Sequence, residues 1–82
     1  MSKHSHVQID DSDPEGTHLW VQLHKPDGRV DQIVGQYPVE QRQQAHEMAR
    51  NLARALNLPL KLNRRQDEPD TIWSPDREAN EA

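Results

Sequence analysis

Cysteine and large apolar side chains are scarce in this chain. Its 82 residues include no Cys, no Phe, one Tyr and two Trp, and 32% of them are hydrophobic, whereas globular domains have about 45–50%. The absence of Cys excludes disulfides and the thiolate zinc sites that reinforce many small folds. A core of this size seldom contributes more than about 3–5 kcal/mol, so we expect a binding partner to reinforce the fold.

Long apolar runs are missing as well. No stretch approaches the roughly 18 apolar residues of a membrane helix, and the first residues, Met1 to His6, contain no apolar segment typical of a signal peptide. The sequence therefore predicts a soluble cytoplasmic protein with no membrane partner.

The residue patterns of common enzymes do not occur. His46 is followed four residues later by Arg50, where the zinc-protease helix has a second His. His4 and His6 lack a third nearby ligand, and His24 is predicted to be an ordinary solvated strand residue. The acids cluster towards the two ends, where nothing would hold two carboxylates at a working distance. We expect no enzymatic activity, no metal site and no cofactor.

Charge divides the chain into three parts. Residues 17–65 carry eight Lys or Arg and four acids, residues 1–16 carry one Lys and four acids, and residues 66–82 carry one Arg and six acids. The polar composition of the two ends cannot bury enough surface to offset the entropy of ordering them. The sequence predicts flexible acidic tails at 1–16 and 66–82 around a folded unit of ββαβ type at 17–65.

Residues 17–38 are typical of a β-hairpin. Strand-forming residues flank the Pro-Asp-Gly run at 26–28, in which Gly28 favours the left-handed conformation that closes a three-residue loop. Regular pairing away from such a loop places Trp20 opposite Val34.

The spacing changes after the hairpin. Pro38 is a favourable first residue for a helix, Asn57 suits the position that ends one, and residues 58–63 then alternate as in a strand. Helical i, i+3, i+4 spacing is shown by Ala45, Met48, Ala49, Leu52, Ala53 and Leu56. The sequence predicts an α+β fold, with a three-stranded sheet in the order hairpin, helix, strand, and one helix on one face.

The hairpin has apolar residues on both predicted faces, and one helix covers only one of them. Trp20, Val30 and Val34 are predicted on the uncovered face. A second copy, a foreign protein or the chain's own tails could cover them, and an uncovered, half-wet face is the fourth alternative. Because the core is small, we favour a homodimer.

A second surface suggests a different partner. From residue 50 to residue 65 the chain has five cations and no acid, and such side chains contact nucleic-acid phosphates. Against this, Glu47 lies on the same helix face and the sequence pI is about 5.6. The candidate nucleic-acid contacts are Arg50, Arg54, Lys61, Arg64 and Arg65.

The C-terminal part contains a candidate docking segment at 71–79. Ile72 and Trp73 stand out in a polar context, and Trp is favoured in binding hot spots. The segment could dock on its own chain or a second copy, or it could bind another protein. The sequence as a whole predicts a small binding or regulatory module, an adaptor or inhibitor, that acts through protein partners. The alternative is a nucleic-acid-binding accessory factor.

Overall fold

The computed structural model describes residues 4–64 and 70–75, with the backbone alone for Arg64. The elements in chain order are β1 (His6–Asp11), β2 (His18–His24), β3 (Val30–Pro38), a 3-10 turn (Val39–Gln41), α1 (Arg42–Leu56), β4 (Leu60–Arg64) and β5 (Asp70–Trp73).

The five strands form one mixed sheet in the order β3-β2-β1-β4-β5. β1 is its central strand and pairs antiparallel with β2 and parallel with β4. The predicted α+β class is confirmed, and α1 packs on one face of the sheet as predicted, but the prediction of three strands is wrong. Both additional strands come from segments that the sequence analysis assigned to flexible acidic tails.

β1 was missed because its sequence signal is weak. Only Val7 and Ile9 are apolar in this strand, and both are completely buried beneath α1. Their register, opposite Leu23 and Val21 of β2, shows that long-range pairing on both sides orders this polar segment. The two residues therefore extend the sheet instead of covering its second face.

The turn between β2 and β3 forms as the sequence predicts. Gly28 has φ 91°, the Lys25 amide donates to the Arg29 carbonyl at 2.8 Å, and the Gly28 amide donates to the Lys25 carbonyl at 2.9 Å. These are the bonds of a three-residue loop closed by a residue in the left-handed region.

The predicted pairing is wrong beyond this turn, because β3 contains two bulges. Register shifts between Leu23 and His24 and between Val21 and Gln22 each add one residue to β3. A bulge of one residue exchanges the faces of the side chains that follow it. Ile33 therefore lies opposite Gln22, while Val34 packs against the core on the helix side.

α1 covers one face of the sheet with its small residues. Ala45, Ala49 and Ala53 are completely buried, which lets the helix approach the strands closely. At the C-terminal end Asn57 has φ 57°, and the Leu58 amide donates to the Ala53 carbonyl at 2.9 Å, as the sequence predicts. The predicted start is wrong: Pro38 ends β3 with ψ 154°, and a 3-10 turn precedes α1. Within residues 4–64 and 70–75, no helix is long and apolar enough to cross a membrane.

Candidate interaction surfaces

The outer face, the side of the sheet away from α1, differs from the predicted apolar surface. Its polar centre is formed by a group that we call the His/Gln cluster, namely His6, Gln8, Gln22 and His24, whose side chains are 5–8% exposed. Aliphatic side chains are confined to one margin, where Val30 is 46% exposed and Ile33 is 58% exposed. We call Val30 and Ile33 the edge patch, because both lie on the edge strand β3.

The three predicted hairpin contacts therefore fall in different places. Trp20 is half-buried on the outer face, opposite Gln36. Val30 is exposed on the edge patch, whereas Val34 is turned towards the core and is not available on the outer face. Ile33, which the predicted register placed under the helix, lies on the outer face opposite Gln22 instead.

The docking residues Ile72 and Trp73 lie at the opposite edge of the sheet. β5 pairs antiparallel with β4, with Trp73 opposite Leu60, and both residues are half-buried against the core. The guanidinium carbon of Arg54 lies 6.0 Å from the centre of the Trp73 ring, within the range of a cation–π contact. In this structure the two residues dock on their own chain, and residues 76–79 of the predicted segment lie outside the described part.

The five predicted nucleic-acid contacts are not brought together on one described surface. Arg50 and Arg54 are exposed on α1, whereas Lys61 pairs with Gln8 in the register of β4 and therefore lies on the outer face. The side chain of Arg64 and all of Arg65 fall outside the described residues. Three of the five cations are thus divided between opposite sides of the sheet.

The His/Gln cluster has a mirrored geometry across β1 and β2. His6 lies opposite His24 and Gln8 lies opposite Gln22. The two imidazole rings stack with their centres 4.5 Å apart and their planes at 30°. Each ring places Nε2 at 3.0 Å from the Oε1 atom of the Gln two residues away on its own strand. The cluster also extends beyond its four members, because the Gln22 amide donates to Asp10 Oδ2 at 3.4 Å and the Ser5 hydroxyl lies 2.7 Å from His6 Nδ1.

Sequence reasoning missed the cluster. The segments His6-Val7-Gln8 and Gln22-Leu23-His24 are mirror images, so a signal existed, but it acquires meaning only when β1 is paired with β2. The prediction that His24 is a solvated residue is wrong, because His24 is 7% exposed.

The surroundings of the cluster disfavour its charged form. Burial lowers the pKa of His6, with further lowering by His24 and Lys61, while its hydrogen bond with Gln8 acts in the opposite direction. Burial also lowers the pKa of His24, and Lys61 adds to this, against a hydrogen bond with the Gly28 backbone and the charge of Asp10. Both shifts favour the neutral form of the rings.

Several carboxylates serve the local structure. Asp13 accepts hydrogen bonds from the backbone and hydroxyl of Thr17, at 3.0 Å and 2.8 Å, in the turn between β1 and β2. Asp31 accepts from His4 at 2.7 Å and lies 3.8 Å from the Lys25 ammonium. Among residues 4–64 and 70–75, no group of three or more His, Cys, Asp or Glu is placed to hold a metal ion.

Comparison with known proteins supplies no family for this arrangement. No protein-family model, no curated protein and no solved structure matches the chain.

Proposed function

We propose that this protein is a small, non-enzymatic, cytoplasmic binding module that acts through protein–protein contacts and self-associates through strand β3. The observation that carries the proposal is the edge patch: Val30 and Ile33 are 46% and 58% exposed on the nine-residue edge strand of the sheet. Exposed aliphatic residues on a long edge strand favour pairing with another strand.

The backbone of β3 supports this proposal. The Arg29 carbonyl accepts from the Lys25 amide, so Arg29 directs its carbonyl towards β2. Because backbone groups alternate in direction along a strand, the N–H and C=O groups of Val30 point away from the sheet. A second strand could therefore bond to the chain at Val30.

A second copy of the chain is the partner that we favour. Two β3 strands that run antiparallel about a two-fold axis perpendicular to the sheet would place both edge patches on the same face of a continuous sheet. Such an interface is closed, because each copy uses the same surface. β3 also contains two bulges and the charged residue Asp31. Such features disfavour pairing of an edge strand with strands of unrelated proteins. The resulting dimer would add apolar burial, which the small monomer core lacks.

Sedimentation velocity over a range of protein concentrations tests the proposal. We expect wild type to form dimers and Ile33→Glu to remain a monomer, because the substitution places a charge in the centre of the interface. Leu56→Glu is the matched control: Leu56 is also an exposed aliphatic residue, at 41%, but it lies at the end of α1. A wild type that is monomeric at every concentration, or an equal effect of both substitutions, would contradict the proposal.

Nucleic-acid binding is the alternative proposal. Arg50 and Arg54 support it because both are exposed on α1, although Lys61 lies on the other side of the sheet. Titration with duplex and single-stranded DNA at increasing salt separates the two proposals, since contacts with phosphates weaken steeply as salt rises. Binding that depends on salt and is lost in Arg50→Gln with Arg54→Gln would favour the alternative, and no binding at low salt would remove it.

A further inference from the structure

The His/Gln cluster lies directly beside the edge patch. In the register of β2 and β3, His24 is opposite Val30 and Gln22 is opposite Ile33. His24 is thus one strand away from the surface proposed for self-association, and His6, on β1, is two strands away. A change of charge in the cluster would change the electrostatic environment of that surface.

Both nitrogen atoms of His6 and the Nε2 atom of His24 face hydrogen-bonding oxygens. His6 has Gln8 Oε1 at Nε2 and the Ser5 hydroxyl at Nδ1, at 3.0 Å and 2.7 Å, and that hydroxyl donates in turn to the Lys25 carbonyl at 3.2 Å. His24 has Gln22 Oε1 at Nε2 and a hydrogen bond with the Gly28 backbone. An imidazolium donates from both nitrogens, so this arrangement can accommodate a proton on a ring.

Protonation of both imidazole rings at the same time would be unfavourable. Two imidazolium rings whose centres are 4.5 Å apart would repel each other in a buried setting. Among the neighbouring elements, β4 contributes the cation Lys61 and β1 contributes the carboxylate of Asp10. On β3 the neighbour of His24 is the uncharged Val30, and the Asp31 carboxylate that follows it is bonded to His4. The positive charge of Lys61 also disfavours protonation of a single ring.

We propose that the stacked His6–His24 pair makes self-association through β3 sensitive to pH, so that dimers form at neutral pH and dissociate under mildly acidic conditions. This inference rests on the proposed function. Protonation would place a buried charge near Val30 and Ile33 in each copy, and pairing at β3 would bring these like charges and further apolar side chains towards one another, which is unfavourable. The pair would thereby act as a proton-dependent regulator of the dimer.

The sign of the pH dependence follows from linkage. The pKa values of both histidines in the folded chain lie below the ordinary value of 6.5, so the unfolded chain binds protons first as the pH falls. The free energy of unfolding is therefore highest above about pH 6.5 and decreases as the pH falls towards the folded pKa values. Dimer formation is expected to follow the same direction.

Sedimentation velocity at pH 7.5 and pH 5.5 tests the inference. We expect the dissociation constant of the wild-type dimer to rise at the lower pH, by up to about tenfold for each copy if dimerisation lowers the pKa by one further unit. The double variant His6→Gln with His24→Gln should lose this dependence, because Gln keeps a hydrogen-bonding side chain but does not titrate. His18→Gln is the control, since His18 lies on the same strand outside the stacked pair.

The outcomes separate this inference from the proposed function. Dimers that form equally at both pH values would overturn the inference alone, and no dimer at either pH would overturn both proposals. If the double variant does not fold, NMR titration of the wild-type histidines provides the test. Measured pKa values below 6.5 for His6 and His24 support the inference, and pKa values at or above 6.5 reject it. Lys61→Gln should raise the pKa values of both histidines and so shift the loss of the dimer to higher pH.

Discussion

The two faces of the sheet exclude water by different means. Under α1, aliphatic residues of the central strands pack against three buried alanines of the helix, and Val7, Ile9, Leu19 and Val21 are completely buried. On the outer face, four polar side chains are nearly as buried, and they bond to one another and to neighbouring polar groups. The same strands supply both faces, because successive side chains point in opposite directions.

This difference shows which face stabilises the fold and which face can respond to conditions. Burial of aliphatic groups does not depend on pH and stabilises the chain in proportion to the area removed from water. Buried polar groups contribute modestly when all are bonded and are costly when one partner is removed or a charge is added. We therefore expect the helix-facing side to dominate stability and the outer face to carry the sensitivity to pH.

The largest effect should follow truncation of the core. Ile9→Ala is expected to lower the free energy of unfolding by roughly 2–5 kcal/mol, because it leaves a cavity at a completely buried position. Ile33→Ala is the matched control, since Ile33 is 58% exposed and should change the free energy of unfolding by about 0.5 kcal/mol or less in the monomer. Urea unfolding at low protein concentration measures both, and equal losses would show that β1 is not central to the fold.

A smaller effect is expected from removal of one amide of the His/Gln cluster. Gln8→Ala leaves the Nε2 atom of the buried His6 without its partner at 3.0 Å, which should cost about 1–3 kcal/mol. Gln36→Ala provides a control, because Gln36 is an exposed residue on the same face. If both substitutions have the same effect on urea unfolding, the bonds within the cluster do not stabilise the outer face.

A still smaller effect should be found where α1 contacts β5. Arg54→Ala removes the guanidinium that lies 6.0 Å from the centre of the Trp73 ring, and a cation–π contact at an exposed position contributes about 0.5–1 kcal/mol. Arg50→Ala is the control on the same exposed helix face. Thermal unfolding and Trp fluorescence should distinguish the two variants, and identical results would exclude a specific role for the contact.

The sequence predicts those parts of the fold that depend on neighbouring residues. The loop closed by Gly28 and the helix ended by Asn57 form as expected, since the left-handed conformation at each is a local property. Strand β1 was not predicted, because Val7 and Ile9 gain their burial only from contacts with strands and a helix that are distant in sequence. The bulges of β3 have no clear local signal either, and they reverse the predicted roles of Ile33 and Val34.

The candidate surfaces were predictable to a similar extent. Composition indicated an uncovered sheet face beside Trp20 and Val30, and the structure has exposed aliphatic residues there. The polar centre of that face was not predicted, since His6 meets His24 only through the pairing of β1 with β2. Local patterns thus identify elements, whereas the composition of a face depends on register.

The smallest effect is expected at the turn between β1 and β2. It distinguishes the pH range in which this turn loses stability from the range in which the outer face does. Hydrogen bonds from Thr17, followed by those from the Glu15 and His18 backbones, lower the pKa of Asp13 to about 2. Since this value is below the ordinary value of 3.8, the contribution of Asp13 to stability is complete above about pH 4 and is lost as the pH falls through about 2. Asp13→Asn should remove this dependence, which thermal unfolding between pH 5 and pH 2 would show, with Asp27→Asn as a control at another exposed turn. The pKa values of His6 and His24 are lowered from the ordinary 6.5, so a change in the wild-type profile that begins above pH 4 and persists in Asp13→Asn would belong to the outer face.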